Sequence, residues 1–340
     1  MITGGKMRPL DIRRDLDSLA DLIEATFAGE LANRGDDIRE EIQTAKRLVP
    51  LLTVLGRLSE DFRHLFDGFV WEDQGRIVSS VTVQRMGNDK ARWLIGTVAT
   101  LPDYRRQGLA RKLVTQAMEH ARAHGAEVCV LDVRANNPAA YNLYRSLDFV
   151  HYDSTTDLKL ETLPQVQAKP IDDYTLRRME LGEWQACYEL AVRETPPEVA
   201  AFLPVSKAEY RISTLRRLLI PLLMRLQRLD PHRWAAEKNN LLVGTMILIA
   251  RRSTSNPHEI RLTIDSAHRA ALAEPLLTLA LETLQPYPRQ NILLTVRTAY
   301  EDLLALLQRY GFVEIDTTHR LGAKLRPAHA QNPDLTNGEN

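Results

Sequence analysis

Pro102-Asp103-Tyr104-Arg105-Arg106-Gln107-Gly108-Leu109-Ala110-Arg111-Lys112-Leu113-Val114 is the stretch on which the fold turns. Upstream, residues 93–101 have the apolar composition of a strand. Downstream, Leu109, Ala110, Leu113, Val114, Ala117, Met118 and Ala121 recur at helical spacing as far as Gly125. A strand therefore passes into a helix through Arg105, Arg106, Gln107, Gly108, Leu109 and Ala110. At such a junction the first backbone N–H groups of the helix have no intrahelical acceptor and point one way, with the positive end of the helix dipole behind them. That arrangement is an anion cradle. Gly108 lets a phosphate approach the main chain without meeting a Cβ, Ala110 is nearly as small, and Arg105, Arg106, Arg111 and Lys112 add positive charge. The spacing matches neither the dinucleotide fingerprint nor the Gly-Lys-Ser/Thr phosphate loop. Taken alone, the stretch also fits a solvated basic turn capping a core helix.

Outward from the cradle, residues 128–133 form another apolar strand. Asn137-Pro138 then opens a helix, asparagine as N-cap and proline at the first helical position, with Ala140, Leu143, Tyr144 and Leu147 on one face. On the N-terminal side, residues 10–14 suggest a short strand, and Leu16, Leu19, Ala20, Leu22, Ile23 and Phe27 a helix. Residues 47–58 read as a leucine-rich helix started or kinked by Pro50, either facing the core or lining a groove. Residues 69–71 and 77–84 are two strands joined across Glu72-Asp73-Gln74-Gly75, which has the content of a hairpin turn.

The chain has 340 residues, enough for two domains with separate cores. Its 44 basic and 44 acidic side chains cancel, so no footprint for a polyanion is present and nucleic acid is not an expected partner. The two cysteines, Cys129 and Cys187, stand in no metal-type spacing, and Cys129 lies within a strand pattern as a buried thiol. The nine histidines form no cluster in sequence, so no metal is expected. No apolar run reaches the length of about 18 residues needed to span a membrane, and the first residues lack a signal-peptide core. The expectation is a soluble, cytoplasmic protein, monomeric or homodimeric, with no membrane partner.

The Arg105 to Ala110 segment resembles the Arg/Gln-x-x-Gly-x-Gly/Ala motif with which GCN5-related N-acetyltransferases (GNAT) hold the pyrophosphate of acetyl-CoA. The segment 131–149, Leu-Asp-Val-Arg-Ala-Asn-Asn-Pro-Ala-Ala-Tyr-Asn-Leu-Tyr-Arg-Ser-Leu-Asp-Phe, is similar to that family's Leu-x-Val-x-x-x-Asn-x-x-Ala-x-x-Leu-Tyr-x-x-x-Gly-Phe motif. Asp148 replaces the usual glycine, a position where aspartate tolerates the left-handed conformation better than most residues. The resemblance implies an α/β (α+β) fold, a mixed and mostly antiparallel sheet flanked by helices.

The second half repeats the first. Arg105 to Ala110 lies over His268-Arg269-Ala270-Ala271-Leu272-Ala273, Leu131-Asp132-Val133-Arg134 over Leu294-Thr295-Val296-Arg297, and Phe149-Val150 over Phe312-Val313, without a gap. Ile12-Arg13-Arg14 aligns with Leu176-Arg177-Arg178, and residues 47–58 align with 218–229. The expected organisation is two tandem GNAT-like domains: a catalytic domain at 7–162, a linker at 163–174, a degenerate domain at 175–325 and a disordered tail at 326–340. In the second copy Gly108 becomes Ala271, Asn137 becomes Tyr300, Tyr144 becomes Leu307 and Asp132 becomes Thr295. Pro275 suggests a helix that starts later than a cradle requires.

By the resemblance, an amine in the N-terminal domain attacks the thioester carbonyl of acetyl-CoA, the co-substrate, directly in a ternary complex; the acceptor is an amine-bearing small molecule or peptide. Main-chain groups of Val98, Ala99 and Thr100 would polarise the thioester and pair with the pantetheine arm, and Asn137 would contact the cofactor through its side chain. Tyr144 matches the tyrosine near the sulfur, a proton donor to the leaving thiolate; by spacing alone it is equally a core aromatic. Asp132 stands where ribosomal-protein alanine acetyltransferases carry the glutamate of a Leu-Glu-Val-Arg segment proposed as base; a solvated or salt-bridged strand residue is the other reading. Many members place a glutamate on the strand before the cradle, but Gly96-Thr97-Val98 has none. A non-catalytic acetyl-CoA-binding sensor or scaffold is the alternative function.

Overall fold

The computed structural model describes residues 4–34, 67–87, 89–180, 182–211, 224–225, 228–252 and 256–325. The expected helix at 47–58 and the expected tail lie outside them. By their contacts these residues form two compact units. The first takes the chain to Val133, Asn137–His151 and the residues from Arg320; the second takes Arg134–Asn136 and Tyr152–His319.

In the first unit the elements are β1 (Lys6–Pro9), α1 (Ile12–Arg34), β2 (Gly68–Asp73), β3 (Arg76–Met86), β4 (Asp89–Thr100), α2 (Leu109–Ala123), β5 (Val128–Arg134) and α3 (Pro138–Arg145). The sheet order is β1-β2-β3-β4-β5. Its first three pairings are antiparallel, and β4 with β5 is parallel. The strand expected at residues 10–14 is in fact Lys6–Pro9. Asp11 ends it by capping a helix, its side chain accepting from the Arg13 N–H at 3.0 Å. The β2–β3 hairpin turns on Gln74 and Gly75, at φ 48° and 79°, the paired left-handed residues of a two-residue hairpin loop. Leu113, Val114, Ala117 and Ala121 present the apolar face of α2 to Val81, Val83, Ile95 and Leu131 of the sheet.

The second unit holds β6 (Val150–Leu160), β7 (Thr175–Arg178), α4 (Trp184–Glu194), the one-turn helices α5 (Pro197–Ala200) and α6 (Lys207–Tyr210), β8 (Leu229–Lys238) and β9 (Leu241–Arg251). After them come β10 (His258–Ile264), α7 (Arg269–Leu284), β11 (Ile292–Arg297), α8 (Glu301–Arg309) and β12 (Val313–Lys324). The order β7-β8-β9-β10-β11-β6 repeats the mixed arrangement, with β10 and β11 the parallel pair. The β8–β9 hairpin turns on Asn239 and Asn240, again both left-handed.

Side-chain networks refine the repeat. Arg8 on β1 bonds to Asp15 of α1 and Glu72 of β2; Arg177 on β7 bonds to Glu183 beside α4 and Glu237 of β8. Arg177 is therefore the counterpart of Arg8, and the alignment of Ile12–Arg14 with Leu176–Arg178 is corrected, since the former open a helix and the latter are a strand.

The units also part from the boundaries drawn at 7–162 and 175–325. From Thr155 to Leu160, β6 is paired antiparallel with β11 of the second copy. The end of β12 lies beside β5, with the Leu325 N–H donating to Glu127 O at 2.7 Å, and Leu321, Ala323 and Leu325 are buried in the first unit's core. Each copy's last strand thus completes a sheet begun by the other. Within the second unit the exchange is marked by a matched pair of ion pairs, Arg297–Asp153 at 3.0 Å and Arg134–Asp316 at 2.5 Å.

Candidate functional site: an anion cradle beside a bulged strand

The cradle is built as the local sequence dictates. After β4, Pro102–Tyr104 makes one 3-10 turn, held to β2 where Tyr104 Oη donates to Asp73 Oδ2 at 3.0 Å. That bond, first, raises the Tyr104 phenol above its ordinary pKa. Arg105 is extended, Arg106 is left-handed at φ 60°, and Gly108 at φ 78° is the N-cap of α2. The first bond of the helix runs from the Lys112 N–H to Gly108 O at 3.1 Å, so the amides of Leu109, Ala110 and Arg111 precede it. A Cβ placed on Gly108 meets no protein atom within 4 Å, so the space over it is open.

The charges are partly committed. Arg105 Nε donates to Thr100 O at 3.2 Å, Gln107 Nε2 to Asp103 O at 3.1 Å and Arg111 to Ser146 Oγ at 2.6 Å. Lys112 Nζ lies 5.1 Å from the centroid of the Trp71 ring. Arg105, Arg106, Gln107 and Gly108 are all exposed.

The strand leading into the cradle is irregular. On β3, Ser80 pairs with Ala99 and Thr82 with Gly96, so Thr97 and Val98 face the single residue Val81, a β-bulge. Thr97 has φ 46°. On the other side, the register with β5 ends at Leu94 with Val130, so the ends of β4 and β5 part beyond it. Val98, Ala99 and Thr100 lie in this parted segment. Two buried hydroxyls of β3 reach the bulge: Ser79 Oγ donates to Ala99 O at 2.8 Å, and Ser80 Oγ to Thr97 O at 3.1 Å. Sequence reasoning overlooked both serines; Gly96 inside a strand was the one signal of a bulge.

Asn137 caps α3, accepting from the Ala140 N–H at 3.1 Å. Tyr144, 5% exposed on α3, packs edge-on against Phe149 with ring centroids 6.1 Å apart. Burial pushes its phenol up to about 12. Asp148 adopts φ 64°, the left-handed state anticipated for it. Asp132 is exposed on β5, flanked by Leu131 and Val133, which turn into the core that also holds Tyr144. Alternation along the strand therefore puts Asp132 and Tyr144 on opposite faces of β5. Burial also pushes the Cys129 thiol up to about 12, leaving it protonated and inert.

The second unit lacks the cradle. Its 3-10 turn, Ser266–His268, runs directly into α7 at Arg269, so nothing corresponds to the loop that carries Gly108. The helix does not start late: it begins at Arg269 and passes through a buried Pro275. Where β10 ends, the Glu194 carboxylate accepts from the Ser266 N–H, from Arg269 at 3.2 Å and from Tyr300 Oη at 3.3 Å. The Arg269 guanidinium lies 3.6 Å from the Tyr300 ring centroid. Among the described residues no group of His, Cys, Asp and Glu is placed to hold a metal ion, and no helix is long and apolar enough to cross a membrane.

Residues 36–149 match the sequence model of the acetyltransferase (GNAT) family. An 80-residue stretch is 38% identical to the [ribosomal protein bS18]-alanine N-acetyltransferase of Escherichia coli strain K12, covering 22% of this chain and 53% of that protein. The chain therefore spans about half the length of the curated relatives it matches. In fold it is similar to a GCN5-related N-acetyltransferase from Sphaerobacter thermophilus, at 16% identity, covering 95% of this chain and 96% of the other with a TM-score of 0.59. It is also similar to a tandem GNAT protein from the clavulanic acid biosynthesis pathway, at 16% identity, covering 96% and 100% with a TM-score of 0.57. The chain has the tandem GNAT fold.

Proposed function

We propose that the first unit is an acetyl-CoA-dependent N-acetyltransferase that moves the acetyl group to a primary amine within a ternary complex. The observation that carries this reading is the cradle at Gly108 placed at the end of a strand that bulges and parts from its neighbour. Acetyl-CoA supplies an activated acyl group: the amine nitrogen bonds to the thioester carbon, the C–S bond breaks, and the coenzyme leaves as a thiolate. The main-chain amides of Gln107, Gly108, Leu109 and Ala110 bind the pyrophosphate, with Arg105 and Arg106 supplying charge. Val98, Ala99 and Thr100 offer main-chain groups to the pantetheine arm, and the Val98 N–H faces the oxygen on which negative charge develops. Asn137 keeps its amide nitrogen for the cofactor while its oxygen caps α3.

Tyr144 holds a proton for the thiolate. Its raised pKa keeps the phenol protonated throughout the working range, which suits a donor. Asp132 is the candidate to receive the ammonium proton, through water because it stands on the far face of β5. The second unit, with Glu194 and Arg269 where a cofactor would lie, is structural, so one acetyl-CoA binds per chain.

The acceptor class is an amine of a small molecule or a peptide; the similarity to an enzyme named for an alanine of ribosomal protein bS18 supports testing peptides first. The experiment is acetyl transfer from acetyl-CoA to a panel of alanine-initiated peptides, polyamines and aminoglycosides, alongside calorimetry for stoichiometry. Binding of acetyl-CoA with no transfer to any amine would favour the sensor or scaffold instead. Asp132→Asn removes the acidic limb of the pH–rate profile if Asp132 is the base, and an unaltered limb returns it to a structural role.

A further inference from the structure

The two units provide an internal comparison of the strand that precedes the helix. In the first, the β3–β4 register slips by one residue between Ser80 and Thr82. In the second, β9 and β10 pair without a slip from Ile249 with Glu259 to Gly244 with Ile264. The counterparts are fixed by hydrogen bonds: the Leu101 N–H donates to Val78 O, and the Asp265 N–H to Val243 O. Counting along the strands from these bonds, Gly244 occupies the place of Ser79 and Thr245 that of Ser80. A Cβ at Gly244 would stand 3.2 Å from Leu272 Cδ1, so the helix fills the space a serine would need. The unit with the cradle has the bulge and both serines. The unit without it has neither the bulge nor the first serine.

The serines act on the strained part of the bulge. Thr97 at φ 46° is a β-branched residue in the left-handed region, a state that persists only where surrounding groups impose it. Ser80, fully buried, bonds to the carbonyl of that residue. Ser79, also fully buried, gives its proton to Ala99 O and so accepts one from Thr100 Oγ1 at 2.7 Å. Thr100 O in turn accepts from Arg105. The pair thus brackets Val98 on both sides and links the bulge to the first residue of the cradle.

We propose that Ser79 and Ser80 are positioning residues of acetyl transfer, fixing the bulge so that the Val98 peptide N–H meets the thioester oxygen. The inference rests on the acetyltransferase reading above. Neither serine touches the substrate. Their effect is to set the place of a donor, and a donor displaced by about 1 Å loses about 10²-fold in rate.

The test uses the full chain, acetyl-CoA labelled with ¹³C at its carbonyl, and the best amine from the acceptor panel. In the unsubstituted protein the bound carbonyl band shifts to lower frequency. Ser79→Ala and Ser80→Ala are expected to abolish that shift and lower kcat by about 10²-fold, while affinity for CoA, which lacks the carbonyl, stays unchanged. Ser80→Thr should restore both, because threonine already occupies the equivalent place in the second unit. If Ser79→Ala fails to fold, Ser79→Cys, with a weaker donor of similar size, should give an intermediate shift. Folded alanine variants that keep both the shift and kcat overturn the inference and leave the acetyltransferase reading standing. Loss of kcat together with CoA affinity overturns it in favour of a purely structural role. An unsubstituted chain that binds acetyl-CoA with no shift overturns the oxyanion reading itself, and the inference with it.

Discussion

Leu321→Ala tests whether the chain's last strand is part of the first unit. Leu321 is 0% exposed and packs in the core with Leu131, Val133 and Phe149, although it lies 172 to 190 residues beyond them in sequence. Its truncation removes most of a fully buried side chain and leaves a cavity between a strand and the sheet it completes. That places the loss at about 3–5 kcal/mol, the upper part of the range for leucine to alanine. Against a total stability of about 5–15 kcal/mol the unit then opens readily. Since 1.4 kcal/mol is a factor of ten, amides of β5 should exchange at least about 10²-fold faster. Hydrogen exchange read by mass spectrometry, comparing peptides over Val128–Arg134 with peptides over Leu241–Arg251, is the assay. Faster exchange in the first set with the second preserved is the expected result. Exchange that quickens only in the second set, with β5 unaffected, would refute the strand exchange and restore a self-contained domain ending near residue 325.

Gly108→Ala should abolish acetyl-CoA binding while costing about 1–2 kcal/mol of stability from the left-handed φ of 78°; Gly108→Asn, better tolerated at that φ, should also block binding, and calorimetry that finds either variant binding normally would remove the cradle. Tyr144→Phe should lower kcat by about 10²-fold with little change in acetyl-CoA affinity, and because Tyr144 titrates near 12 the unsubstituted enzyme should lose no rate through this group as pH rises to 10. Burial, first, holds His232 and His258 below the ordinary histidine pKa in the folded chain, so the unfolded chain binds more protons and stability falls as pH drops through about 6.5. Each contributes a slope of at most about 1.4 kcal/mol per pH unit, and denaturant melts of His232→Gln and His258→Gln at pH 7.5 and 5.5 should show a flatter dependence.

What was legible in the sequence was local. The helix from Leu109, the Asn137 cap, the Gln74-Gly75 turn and the left-handed Asp148 follow from spacing, capping and side-chain size, each confined to a few residues. Which sheet a strand joins is not local: nothing within Val150–Leu160 says that its partner is β11 rather than β5. The gapless alignment from the cradle onward keeps its register in the structure, since Leu109, Leu113, Val114 and Ala117 of α2 and Leu272, Leu276, Leu277 and Ala280 of α7 are buried in turn. What the alignment does not show is conformation: the segment that loops around Gly108 in the first unit is already helix in the second, where α7 begins at Arg269. Pro275 misled in another way. Proline favours a first helical turn, but in α7 it is buried among Leu272, Leu276 and Leu277, and packing outweighs the missing hydrogen bond.

The exchange of last strands bears on why a unit without a cradle persists. In a pair of self-sufficient domains, the second copy could be lost once its site had closed. Here the first unit draws Leu321, Ala323 and Leu325 into its core, so the second copy's final strand cannot be removed without opening the sheet that carries β4 and β5. The same sheet parts beyond Leu94 and Val130 at the place proposed for the thioester. A strand paired along the far side of β5 steadies one wall of that opening while leaving the β4 side unpaired. With Arg269 held by Glu194 and stacked on Tyr300, its charge is satisfied internally, which fits the proposal that the second unit is structural.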